Sequence, residues 1–163
     1  MPEASIVTRL AIKEVTPDVS TAMIALNDAA QSAAEAADIE PELLQLIRIR
    51  TSQINGCSLS LVQHTAAARA MGQSEQRIRD VRAWRNSKVL DRKERAALAL
   101  TEAITLVFAG QVPNSVYAEA ACLFDETQLA ALIWIVTVIN THNRIAITTR
   151  LEGSGAPPTA AAG

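Results

Sequence analysis

The residues with the most chemistry per position stand in one run, Gln53-Ile54-Asn55-Gly56-Cys57-Ser58-Leu59-Ser60-Leu61-Val62-Gln63-His64. Asn55-Gly56 is a turn signal and places Cys57 at the expected N-terminus of a helix. Unpaired backbone N–H groups and the helix dipole favour a thiolate at such a position. Ser60 lies one turn further on and His64 two turns from Cys57. At about 100° per residue the three share one helical face, with Cys57 and His64 nearly in line. A thiol, a hydroxyl and an imidazole on one face are what general-base-assisted chemistry requires. His64 would take a proton from Ser60 directly, or from Cys57 through a water. A plainer alternative stands beside this: a lone Cys is often a small core hydrophobe, and a lone His on an apolar helix is often a hydrogen-bonded core residue. Cys122, between Ala121 and Leu123, reads as core. One Cys and one His supply only two ligands, so no metal is expected.

The elements around this run read as helices throughout. Residues 1–16 suggest an extended or loosely packed arm. Pro17-Asp18 opens an Ala-rich amphipathic helix to about Ala37, and Pro41 opens a second that runs to about Ile54. The helix beginning near Cys57 stops before Gly72, a natural left-handed cap. Ser74 caps a fourth helix reaching Trp84. Asp91 with Glu94 forms a capping box for a fifth, in which Ala97, Leu100, Ile104 and Val107 recur at helical spacing up to Gly110. Pro113 begins a shorter sixth. Asp125 and Gln128 repeat the capping pattern before a last helix ending near Thr149. Its stripe is Leu129, Leu132, Ile133, Val136 and Ile139; with Trp134, Ile135 and Val138 it is apolar nearly all round, as in a domain centre or a subunit interface. The fold class is all-α: one domain over residues 17–152, a bundle of six to seven helices, with a disordered tail over 153–163.

Composition agrees and removes several function classes. The 163 residues fit one domain and need no disulfide or metal to fold. Hydrophobic residues make up 49% but aromatics only 3%, so the apolar mass is aliphatic and Ala-rich, which favours helix. A net charge of −2, from 15 basic and 17 acidic residues, gives no reason to expect nucleic acid or a lipid surface. Arg77, Arg79, Arg82 and Arg85 are interleaved with Glu75 and Asp80 and read as a solvated helix face. Two cysteines do not make a secreted disulfide framework. No signal peptide is visible, and the apolar stretch 129–139 is short of the roughly 20 residues that cross a bilayer. The expected location is the cytoplasm.

Ser52-Gln53-Ile54-Asn55-Gly56-Cys57, a helical turn and then His64 resemble the signature of the alkylhydroperoxidase D-like group of the carboxymuconolactone decarboxylase superfamily. The resemblance continues through Trp84-Arg85, through 91–103 (DRKERAALALTEA) and through Ile139-Asn140-Thr141-His142-Asn143-Arg144, so it covers roughly residues 24–150 with three motifs in order. It implies an all-helical oligomer, a trimer or hexamer, and in members with the full motif a cofactor-free thiol peroxidase. There a Glu acts through the His on the second Cys of a CxxC, and the first Cys closes the disulfide. Carried over, the first Cys is Cys57 and the His is His64, while the second Cys falls on Ser60 and the Glu on Gln45. A serine forms no sulfenic acid or disulfide, and Gln45 carries no charge, although it can still hold His64 by a hydrogen bond. His142 stands where the family usually has Trp, either lining the pocket or lying at a subunit edge. Glu102 fits the pattern either as a carboxylate near the site or, by preference, as a buried partner of Arg144.

Three functions follow as expectations. The first is a thiol-dependent peroxidase-like antioxidant protein using Cys57 with an external thiol reductant. The second is a cofactor-free decarboxylase-like lyase, with His64 as base and Ser60 and Gln45 binding a small organic acid. The third is a non-catalytic small-molecule-binding relative. In each case a homo-oligomer (trimer, hexamer or dimer) is expected.

Overall fold

The computed structural model describes residues 8–151; the tail expected over 153–163 and the first seven residues of the arm lie outside them. Among the described residues there are eight α-helices and no strand. The element beyond the expected six to seven is α1 (Ile12–Val15), a single turn inside the segment read as an arm. α2 (Pro17–Ala36) and α3 (Pro41–Asn55) each carry Pro at the first helical position, where its missing N–H costs nothing. α4 (Ser58–Ala70) ends ahead of Gly72, which sits at φ +83°. α5 (Glu75–Asp80) starts where the Ser74 hydroxyl accepts from the Arg77 amide, 3.2 Å, and runs into a 3₁₀ segment, Val81–Asn86, kinked at Ala83.

The two capping boxes form as the sequence pattern requires. Asp91 accepts from the Glu94 amide and Glu94 returns the bond, both at 2.8 Å, at the start of α6 (Arg92–Thr105). After α7 (Asn114–Leu123), Asp125 and Gln128 do the same for α8 (Glu126–Thr149), at 2.9 and 3.4 Å. Each N-cap is worth about 1 kcal/mol.

α3 is the centre of the molecule, packed against α4, α6 and α8. Leu44 and Ile47 face a core shared with Leu100 of α6 and Leu132, Ile135 and Val136 of α8. Leu46 and Ile49 face the other way, into a second core with Val81, Trp84 and Leu98. A fully buried Leu or Ile contributes about 1.5–3 kcal/mol, so a helix buried on two sides is the most strongly fixed element available to carry a site. α8, expected to be apolar all round and central, buries a broad face but leaves Trp134 51% exposed. α8 is also long and apolar enough to cross a membrane by length and composition, yet half of that stretch is buried in the bundle.

Two surface readings change. Cys122 is exposed rather than core: α7 turns Ala120 inward, and two residues further, about 200° round the helix, Cys122 points away. The arginine run is not simply a solvated face, since Arg77 pairs with Glu94, and Arg85 pairs with Glu102 while covering the Trp84 ring at 4.1 Å.

Candidate functional site

The site is built at the break between α3 and α4. Gly56 takes φ +69°, which closes α3 in the left-handed region without a Cβ penalty. Both the Gly56 and the Cys57 amides donate to the Ser52 carbonyl. Cys57 is left at the N-cap of α4, extended, with its carbonyl accepting from Leu61. Side chains lock the break to α8: the Asn55 amide donates to Asn140 Oδ1 and to Asn143 Oδ1, both at 3.0 Å. Asn143 donates onward to the Ser52 hydroxyl at 3.3 Å, and Asn140 to Thr105 at 3.0 Å. Asn143 is fully buried, so these bonds satisfy groups that water cannot reach. Ser52, Asn55, Asn140 and Asn143 are therefore the clamp that fixes where Cys57 stands.

The four residues singled out as catalytic come together as two bonded pairs. The Cys57 thiol donates to the Ser60 hydroxyl at 3.3 Å, and Cys57 is only 2% exposed. One turn along α4, His64 Nδ1 is 3.0 Å from the side-chain oxygen of Gln45, which is buried in α3. With an amide oxygen as acceptor, Nδ1 carries the proton and Nε2 keeps its lone pair. Burial lowers the His64 pKa to about 4, with further contributions from the Arg48 charge and from His142. His64 is thus a neutral imidazole held in one tautomer by an uncharged partner.

A cavity of about 560 Å³ opens beside this helix, between α1, α2, α4 and α8. Ser60, His64 and His142 are on its wall; Cys57, Gln45 and Glu102 are not. His142 thus lines the pocket, and burial, with Lys13 and Arg48 nearby, lowers its pKa. Glu102 is elsewhere and has other partners than expected. Arg50 reaches it at 2.6 Å, Arg85 at 2.5 Å and Trp84 Nε1 at 2.8 Å. Burial opposes the Glu102 charge, but the bonds from Arg85, Trp84 and Arg50 outweigh it and hold its pKa below the usual value. Arg144 instead donates to the Asn140 carbonyl and side-chain oxygen. α6 turns Glu102 toward α3 and the Trp84 segment, so an α8 arginine is not its partner.

Sequence reasoning missed Arg48 and Lys13, which also line the cavity. Arg48 had a signal: it breaks the run Leu43-Leu44-Gln45-Leu46-Ile47-Arg48-Ile49 and lies three residues from Gln45, on the same face of α3. A charge inside an otherwise buried helical stretch is a candidate for a site. Lys13 had none, because nothing in the first 16 residues foretells where they pack. Among the described residues, no group of three or more His, Cys, Asp or Glu is placed to hold a metal ion.

Residues 17–103 match the carboxymuconolactone decarboxylase family. The chain is 43% identical over 103 residues to the uncharacterised protein YdfG of Bacillus subtilis (strain 168), across 63% of this chain and 70% of that protein. It also matches a crystal structure from Agrobacterium tumefaciens, a protein of unknown function described as a candidate antioxidant defence protein AhpD. That likeness has a TM-score of 0.82 at 30% identity and covers 93% of this chain and 99% of the other. The order and packing of the helices are therefore those of an AhpD-like fold.

Proposed function

Since the chain belongs to the carboxymuconolactone decarboxylase family, we propose that it is a thiol-dependent, peroxidase-like oxidoreductase that works through Cys57 alone. The observation that carries this is the Cys57–Ser60 hydrogen bond, 3.3 Å, which joins the thiol to a hydroxyl that shares the cavity wall with a neutral His64. Ser60, where the family pattern has the second Cys, serves as a hydroxyl relay. The thiol proton passes through Ser60 to His64 as the sulfur attacks one peroxide oxygen. The O–O bond breaks, the imidazolium returns the proton to the departing alkoxide, and an alcohol and a Cys57 sulfenic acid remain. One external thiol condenses with the sulfenic acid, releasing water and leaving a mixed disulfide. A second external thiol regenerates Cys57 and leaves as the oxidised disulfide. A cytoplasmic setting, where reducing thiols are abundant, and a homo-oligomer are parts of the same proposal. The oligomer draws support from the exposed apolar residues Val19, Val62 and Trp134.

The test is consumption of an organic hydroperoxide with excess dithiol, wild type against Cys57→Ser and His64→Ala. Loss in both variants supports the reading; an unchanged rate in Cys57→Ser removes it. One observation favours a second reading: His64 and Ser60 line the cavity, whereas Cys57 does not. That suits cofactor-free lyase chemistry with His64 as base, and it would appear as turnover of a small organic acid lost in His64→Ala but kept in Cys57→Ser.

A further inference from the structure

Arg48 is half-buried on α3, the helix buried on two sides, and lines the cavity. Its side-chain bond is to an uncharged group, the Gln31 oxygen at 2.7 Å. No carboxylate lies within 4 Å of it among the described residues, whereas Arg50, two residues on, has Glu102 at 2.6 Å. Burying a cation without a counter-charge is costly, and such cations are normally paired. Desolvation depresses the Arg48 pKa, which is the same cost seen in another way.

A second, independent observation concerns His142 on the same wall: its Nε2 atom is buried and has no hydrogen-bond partner. Buried polar atoms almost always have one. Lys13 completes the set, and among the described residues the cavity wall includes no Asp or Glu. The rest of the wall is mostly apolar, with Met23 and Ile24 of α2 and Val138 and Ile139 of α8, and is interrupted by neutral polar side chains such as Asn27, Gln31 and Thr141. The volume, about 560 Å³, is within the range of roughly 300–1,000 Å³ typical of small-molecule sites.

We infer that this cavity is a binding site for an amphipathic organic monocarboxylate, its carboxylate held by Arg48, Lys13 and His142 and its apolar body lying between α2 and α8. An anion supplies a counter-charge to the guanidinium and the ammonium together, beside the His142 imidazole on the same wall. A neutral ligand of the same shape would fill the apolar walls and leave the cation unpaired. Binding needs no turnover at Cys57, so it stands or falls apart from the peroxidase reading.

The probes are decanoate and 1-decanol, of one chain length and differing in charge, titrated into the full-length protein by calorimetry near neutral pH. Decanoate is expected to bind about 10- to 100-fold more tightly than decanol, the usual range for a charge-assisted bond to a desolvated partner. Arg48→Met should remove that preference and Arg48→Lys should keep part of it, with helicity checked by circular dichroism. Arg48→Met removes a half-buried charge that has no carboxylate partner, at the cost of its bond to Gln31, so its stability should stay close to that of wild type. Equal affinity for the two probes, no decanoate binding, or an Arg48→Met protein that still prefers decanoate would each overturn the proposal. The first two outcomes use wild-type protein alone and do not depend on any variant folding.

Discussion

Acid should weaken this protein through His64 before it weakens it through the carboxylates. The folded His64 has a pKa of about 4 against an ordinary value of 6.5, because burial, the Arg48 charge and His142 all oppose its protonation. In the unfolded chain the imidazole is free to take a proton near 6.5, so below that value protons favour the unfolded state. The contribution is therefore fully present above 6.5, is lost as pH falls, and levels off below the folded value. At about 1.4 kcal/mol per pH unit the whole effect is about 3 kcal/mol, and about 2 kcal/mol of it disappears between pH 7 and pH 5. Urea denaturation at pH 7, 6 and 5 on wild type and His64→Gln measures it directly. Contributions from groups distant from His64, such as that of Glu102, cancel in the difference. Wild type should lose about 2 kcal/mol more than the variant over that interval, and an NMR titration should place the His64 midpoint near 4. Parallel stability curves, or a midpoint near 6.5, would refute the reading of a desolvated, neutral imidazole.

Asn55→Ala removes the donor for Asn140 and Asn143, and leaving the buried Asn143 oxygen unpaired should cost about 2–3 kcal/mol by thermal or urea unfolding; a loss near zero would mean that the clamp is ornamental. Glu102→Gln deprives Arg50 and Arg85 of their shared counter-charge and should cost about 2 kcal/mol. It should leave peroxide turnover unchanged, since Glu102 is not on the cavity wall, and a collapse of activity in a folded variant would contradict this placement. The two cysteines should sort by reagent: iodoacetamide modifies exposed Cys122 first, whereas hydrogen peroxide oxidises Cys57 first because only there does an adjacent base assist. Peptide mass spectrometry reads both, and preferential oxidation of Cys122 would count against Cys57 as the reactive thiol.

Local signals in the chain were legible where they are self-contained. Pro17, Pro41, the Asp91–Glu94 and Asp125–Gln128 boxes and Gly72 each act within four residues, and the helices begin and end beside them. The Asn-Gly-Cys turn was legible for the same reason, and so was the Gln45–His64 bond, because the family pattern already joined those positions. What was not legible depends on which face a helix presents. The phase of α7 decides whether Cys122 is core or surface, and Ala121 and Leu123 on either side give no hint of it. Glu102 was assigned to Arg144 because both fit the pattern, but α6 packs on α3 and on the Trp84 segment, and that packing settles the partner. Arg48 and Lys13 meet His142 only through α1, α3 and α8, three elements distant in sequence.

The two departures from the family pattern and the unpaired arginine have one electrostatic cause. A carboxylate at position 45 would sit beside His64, favour its protonated form and place a negative charge close to the cavity. Gln45 keeps the hydrogen bond at 3.0 Å and supplies no charge. His64 is then neutral, and Arg48 and Lys13 line the cavity without a carboxylate on its wall among the described residues. An amide at position 45 thus does two things at once: it weakens a proton relay that would activate a thiol at position 60, and it turns the cavity electropositive. With Ser60 in place of that thiol, a charged relay would have had nothing to activate, whereas an electropositive cavity would still suit the proposed carboxylate. The same reasoning sets the direction of Gln45→Glu: it should raise the His64 pKa and weaken decanoate binding together, and a variant that does one without the other would separate the two effects that the geometry joins.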